Sequence, residues 1–204
     1  AADQLAAALR EIVRDLAPRD PPAPLAAYWR ATFARMAESI VAQKEVGAAL
    51  HGRAAAVPPY DRALALLEES IGVPHYLATC FILAGDPALP ARLPRLLPLV
   101  GACARAIRLA NDLRTWPKDE RERNFSTLVA ARADLARAEP ALPPAALHER
   151  ALRLLDERLR AELARAHALL VASPHPDGGV ERGLARLIAF VPAFYAAHDY
   201  DTYE

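Results

Sequence analysis

Residues 108–125 read RLANDLRTWPKDERERNF, and the spacing inside this stretch decides how the rest of the chain is understood. An apolar run from Leu96 predicts a helix that carries Asn111, Thr115 and Asp119 to its end at i, i+4 and i+8, so three side-chain oxygens share one face. At the α-helical rise they form a ladder with steps of roughly 6 Å. An amide oxygen, a hydroxyl and a carboxylate are hard donors of the kind Mg²⁺ prefers, and together they carry one negative charge. A cation held by so little charge completes its shell with water and phosphate oxygens. Lys118, Arg121 and Arg123 follow at once and supply positive charge for a polyphosphate.

These residues resemble the second metal-binding motif of class I terpene synthases, N-D-x-x-S/T-x-x-K/R-E/D, matched here by Asn111, Asp112, Thr115, Lys118 and Asp119. The leading Arg108-Leu109-Ala110 is similar to the bacterial, ent-kaurene synthase-like branch that acts on bicyclic C20 diphosphates of the copalyl type. The resemblance implies the all-α isoprenoid-synthase fold, an antiparallel helical bundle around a central cavity. It also implies Mg²⁺-dependent ionisation of a prenyl diphosphate and cyclisation of the cation, with three Mg²⁺ ions in the complete enzyme. Asn111, Thr115 and Asp119 would ligate metal, while Arg108, Lys118 and Arg121 would bind diphosphate. Pro117 departs from a regular helix between the second and third ligands, where it removes one backbone hydrogen bond and predicts a kink. The competing reading is a polar helix end with i,i+4 pairs such as Arg108 with Asp112.

Composition narrows the setting. The chain has 204 residues, enough for one well-buried domain over residues 1–204. Hydrophobic residues make up 53 % and charged residues 25 %, which suits a packed core. Twenty-five basic residues balance 25 acidic ones, so no net field recruits nucleic acid or an anionic membrane, and any anion site is local. Cys80 and Cys103 sit in apolar helical contexts, where cysteine behaves as a small hydrophobe, and are expected to be reduced. No run of about 18 apolar residues predicts a membrane span, and the first residues do not read as a signal peptide, so a cytoplasmic protein is expected.

Periodicity predicts helices over 1–16, 24–51, 59–83 with an interruption, 96–119, 124–135, 145–172 and 180–198. Proline-rich connections are expected near Pro18–Pro24, from Gly85 to Pro94 and from Glu139 to Pro144. A helix already under way at residue 1 suggests a chain that begins inside something larger. Tyr28, Trp29, Phe33, Tyr76 and Phe81 are candidates for an apolar pocket, since aromatic faces stabilise cations, although core packing is the commoner role for such residues.

The run Ser70-Ile71-Gly72-Val73-Pro74 breaks an otherwise helical pattern. Pro74 cannot donate to the Ser70 carbonyl, so the break frees carbonyl oxygen that can stabilise positive charge without acting as a nucleophile. The resemblance agrees, because terpene synthases break a helix at this place, and it assigns Ile71 and Gly72 to catalysis. The aromatic end FYAAHDYDTYE resembles the tail that folds over the site mouth in the same branch, which gives Tyr195, Tyr200 and His198 phosphate-facing roles.

Two family features are missing. The arginine usual before the helix break is replaced by Leu66-Leu67-Glu68-Glu69, and the chain contains no adjacent pair of aspartates for the first metal motif. The resemblance therefore covers nearly the whole chain but only the C-terminal two-thirds of the family's domain. A longer gene product, a second polypeptide or homodimer partner supplying the aspartate-rich motif, and loss of the reaction are all open. So are two rival functions: another prenyltransferase of the same fold, and a non-catalytic helical partner subunit.

Overall fold

The computed structural model describes residues 2–51, 56–175 and 178–197. Its helices are α1 (Ala2–Leu16), α2 (Ala23–His51), α3 (Tyr60–Ser70), α4 (Val73–Ala84), α5 (Leu89–Glu122), α6 (Thr127–Ala138), α7 (Pro144–Val171) and α8 (Gly179–Ala197), with a 3-10 turn at Ala17–Arg19. Among the described residues there is no strand, so the predicted all-α class holds. Among the described residues no helix is long and apolar enough to cross a membrane.

The long α5 is the axis of the fold because apolar and small residues encircle its middle. Leu99, Val100, Ala102, Cys103, Ala104, Ala106, Ile107, Leu109 and Ala110 are all buried, and the alanines let neighbouring helices approach closely. One core joins α5 to α4 and α8 through Leu77, Phe81, Leu96, Ile107 and Leu184. A second joins it to α3, α6 and α7 through Leu67, Leu109, Leu128 and Leu155. Each fully buried leucine contributes about 1.5–3 kcal/mol, which is what holds five helices against one. α2 lies outside this layer and packs on α3 and α4.

Two partly buried ion-pair clusters fix the helices around α5. Arg92 binds Asp86 at 2.7 Å and also Glu181 of α8. Arg105 reaches Glu68 of α3 and Glu162 of α7, both at 2.9 Å. Burying these charges is tolerable because each arginine meets two carboxylates.

The connection expected to run to Pro94 is shorter than predicted, since α5 begins at Leu89 and carries Pro94 and Pro98 inside it. Leu89, Leu93 and Leu96 are buried on the core side while Pro94 and Pro98 face solvent. Proline's fixed φ is already helical, and the carbonyls it leaves without a donor lie on the wet side, where water satisfies them. Burial of the leucine stripe outweighs the lost hydrogen bonds.

The predicted break at Ser70–Pro74 is complete. α3 ends at Ser70 and α4 starts at Val73, joined through Gly72 at φ 77°. That left-handed backbone is costly for any residue with a Cβ.

Candidate metal centre

The last turns of α5 bring two side-chain oxygens of the motif, those of Thr115 and Asp119, together one turn beyond Asn111. Thr115 is 8 % exposed, and its Oγ1 donates to Asp119 Oδ2 at 2.8 Å while also reaching the Asn111 carbonyl at 3.0 Å. A hydroxyl has one proton for these two acceptors and keeps lone pairs for a third partner. Asp119 Oδ1 accepts from Asn124 Nδ2 at 3.2 Å, and the Asn124 backbone N–H returns to the Asp119 carbonyl at 2.8 Å. This closure requires Arg123 at φ 59°, a left-handed helix end more usual for glycine.

Pro117 does not displace Asp119. α5 continues past it to Glu122, and the Thr115–Asp119 hydrogen bond spans it. The ring is exposed, so the donor it lacks is missing on the solvent side of the helix.

Asp112, the second letter of the motif, turns inward. It is fully buried, its Oδ2 accepts from the backbone N–H and hydroxyl of Thr127 at 2.8 and 2.6 Å, and its Oδ1 lies 2.6 Å from Arg108 Nη2. It therefore anchors the start of α6 to α5. Arg108, 7 % exposed, pairs with Asp112, while its Nε has no hydrogen-bond partner among the described residues. A buried donor left unpaired costs about 1–3 kcal/mol, and an anionic oxygen would relieve that cost.

Burial holds the Asp119 carboxyl above the usual carboxylate range; hydrogen bonds from Thr115 and Asn124 and the charge of Arg108 oppose this, and the charge of Asp112 adds to it. A cation beside Asp119 would reverse the shift. The donors present fit a hard divalent ion: an amide, a hydroxyl and a carboxylate on successive turns, with an unpaired arginine N–H close by for its anionic ligand. Among the described residues no three His, Cys, Asp or Glu side chains gather to make a self-sufficient site. Water and ligand oxygens would have to complete the shell.

Beside Asp119 opens a depression of about 380 Å³ lined by Gly47 and Leu50 of α2, Arg123, Asn124, Phe125 and Val129. α2 is pinned over it by Lys44 Nζ to Asn124 Oδ1 at 3.4 Å and Gln43 Nε2 to the Phe125 carbonyl at 2.8 Å. Sequence reasoning missed Asn124, although it stands only five residues past Asp119, and missed α2's part, which lies some 80 residues away. Lys118 is partly buried, and Arg121 and Arg123 are exposed.

Residues 1–139, which include this centre, match the family model described as terpene synthase family 2, C-terminal metal binding. The chain belongs to this terpene synthase family. The match spans α1 to α6, while α7 and α8 lie beyond it. No curated protein matches the chain.

In this terpene synthase chain the helix break leaves carbonyl oxygens without a backbone donor, as the sequence predicts. Backbone donors reach the carbonyls of Leu67, Glu69 and Gly72, but none among the described residues reaches those of Ser70 and Ile71. The candidate pocket residues divide between two places. Tyr76, 59 % exposed, and buried Phe81 line an apolar groove of about 390 Å³ between α4 and α8, together with Cys80, Leu187 and Phe190. Tyr28, Trp29 and Phe33 lie instead on the side of α2 that meets α4. Burial pushes the Tyr28 hydroxyl up to about 12, with Arg35 opposing and Glu69 adding. Tyr195 is buried in the core of α5 and α8, its ring 5.5 Å from that of Phe194. His198 and Tyr200 lie outside the described residues.

Proposed function

We propose that the protein acts as a class I terpene synthase that ionises a C20 prenyl diphosphate of copalyl or geranylgeranyl type and cyclises the resulting cation. The observation that carries this reading is the convergence of Thr115 and Asp119 at the end of α5, one turn beyond Asn111, with Asp112 excluded from the cluster and used to hold Arg108. Mg²⁺ bound there would neutralise charge developing on the diphosphate as the carbon–oxygen bond breaks.

The chain's own groups would do the rest. Arg108 has an N–H to spare for a diphosphate oxygen, and Lys118 and Arg121 follow on α5 to share its charge. The carbonyls of Ser70 and Ile71 face no backbone donor and would stabilise a carbocation by their dipoles. The groove lined by Tyr76 and Phe81 is apolar enough to take hydrocarbon and keep water from it. A cytoplasmic setting suits a chain in which no helix among the described residues is long and apolar enough to span a membrane. The test is diphosphate release from geranylgeranyl, farnesyl and copalyl diphosphates by the complete gene product with Mg²⁺. Release is expected from a C20 substrate, and silence on all three contradicts the reading.

A second reading rests on the sequence, which has no adjacent aspartates. On it the chain is a helical partner whose metal site is completed by another polypeptide, or a non-catalytic subunit. Mg²⁺-dependent pyrophosphate binding without turnover would favour it.

A further inference from the structure

Within α8, Gly179, Gly183 and Leu187 recur at every fourth position and Phe190 follows three later, so all four share one face. That face forms one wall of the apolar groove of about 390 Å³, and Tyr76, Cys80, Phe81 and Ala84 of α4 form the other. The two ends of the groove differ. Arg92 holds both Asp86, two residues past Ala84, and Glu181, so the first turn of α8 lies beside the last turn of α4. Ala84, Gly179 and Gly183 therefore wall one end with small residues, and the rings of Tyr76 and Phe190 wall the other. The Tyr76 N–H donates to the Gly72 carbonyl at 2.9 Å, which places the ring end one turn from the helix break. The small-residue end lies about 12 Å farther along α4, at 1.5 Å of rise per residue.

Gly183 has neither of the usual reasons for glycine. Its backbone is not left-handed, as those of Gly72 and Gly85 are. No neighbour presses on it, since a Cβ added there would meet no atom within 4 Å among the described residues. Alanine would make the more stable helix. What glycine leaves at this position is room in the groove that it lines.

We propose that Gly183 sets the length of isoprenoid that the protein accepts. The space over it receives the end of a C20 hydrocarbon remote from the diphosphate, while a C15 chain ends short of it. The ring end, beside the free carbonyls of Ser70 and Ile71, then holds the part of the chain where positive charge develops. This assignment rests on the terpene synthase reading above and on its placement of the hydrocarbon in this groove. It adds the residue that selects the substrate.

The experiment compares the complete gene product with Gly183→Ala, Gly183→Leu and Ala185→Leu, the last lying on α8 outside the groove lining. Diphosphate release is measured from geranylgeranyl and farnesyl diphosphates with Mg²⁺. One methylene more or less in an apolar pocket discriminates by about 10–200-fold, so Gly183→Leu should lose at least tenfold in kcat/KM on the C20 substrate and less than threefold on the C15 one. Ala185→Leu should lose less than threefold on both. Gly183→Ala should raise the melting temperature by about 2–4 °C, and a Gly183→Leu variant that melts no lower than the parent shows that the loss is one of space. Occupancy of the groove has its own readout in Cys80, which lines it. The only other cysteine, Cys103, is fully buried, and burial pushes its thiol up to about 12, with its own backbone N–H and Arg105 opposing. Alkylation by N-ethylmaleimide therefore reports Cys80. Saturating geranylgeranyl diphosphate with Mg²⁺ should slow it at least threefold in the parent. Equal losses on the two substrates in Gly183→Leu, or a parent that releases diphosphate without protection of Cys80, overturn the assignment while leaving the terpene synthase reading intact. A parent that releases no diphosphate overturns both.

Discussion

Thr115 Oγ1 donates a 2.8 Å hydrogen bond to Asp119 Oδ2 across Pro117, so the hydroxyl and the carboxylate of the motif are oriented toward one another. The oxygen that donates still has lone pairs to offer, and the carboxylate is steadied from its other side by Asn124. Such orientation limits the rearrangement needed to accept a cation with strict geometric demands.

Asn124 should therefore matter without being a ligand. Residues that orient metal ligands typically change affinity by 10–100-fold when removed, and Asn124→Ala is expected to raise the Mg²⁺ requirement for pyrophosphate binding by about that factor. Calorimetric titration of Mg²⁺ in the presence of pyrophosphate measures this. Parental affinity in the variant would remove Asn124 from the site.

Asp112 predicts the opposite behaviour from its neighbour Asn111. Asp112→Ala strands the buried Arg108 and empties the acceptor of Thr127, and loss of one partner from a buried pair costs about 3–5 kcal/mol. Thermal unfolding should show a large loss of stability for this variant, while Asn111→Ala keeps the parental melting temperature within a few degrees. Equal stabilities for the two would contradict the structural role given to Asp112.

Gly72→Ala tests the helix break. A Cβ there would lie 3.1 Å from Met36 Sδ, a flexible side chain that can move aside, but φ 77° remains. The expected cost is about 1–2 kcal/mol. At about 2–4 °C per kcal/mol for a chain of this size, the melting temperature should fall by roughly 2–8 °C. An unchanged melting temperature would show that the backbone relaxes freely at this position.

The lock between α5 and α8 predicts a pH effect. Glu181 is 1 % exposed, and burial alone would raise its pKa; the hydrogen bonds and charge of Arg92, its own backbone N–H and Ser173 together carry it below its ordinary 4.5. A depressed folded-state pKa contributes stability that is fully present above the unfolded value and is lost as pH falls through the folded one. Acid unfolding followed by circular dichroism should therefore steepen below about pH 4.5 in the parent, and Glu181→Gln should be less stable at neutral pH with a shallower acid limb. Identical limbs would deny Glu181 this role.

Much of this arrangement was legible in the sequence because it is local. Thr115 and Asp119, spaced i, i+4 in the motif, are joined by a side-chain hydrogen bond on α5, and Gly72 with Pro74 breaks the helix where the chain reads SIGVP. What misled was proline. Pro94 was expected to close a loop and Pro117 to disturb the motif, yet both lie on the solvent side of α5, where the absence of an N–H is cheap. What could not be read was long-range. The pairing of His75 with Thr32 and the closure of Lys44 over Asn124 join residues 43 and 80 positions apart, and no periodicity reports such contacts.

The most direct test of the central claim is the Mg²⁺ dependence of the Asn111→Ala variant. In the proposed site Asn111 would add a third oxygen to the Thr115–Asp119 pair, and removing it would take one donor from a shell that tolerates little distortion. In the complete gene product, Asn111→Ala should stay folded, lose at least a hundredfold in diphosphate release and bind pyrophosphate weakly at any Mg²⁺ concentration that saturates the parent. Parental turnover by a folded Asn111→Ala variant at limiting Mg²⁺ would contradict a metal site at the end of α5.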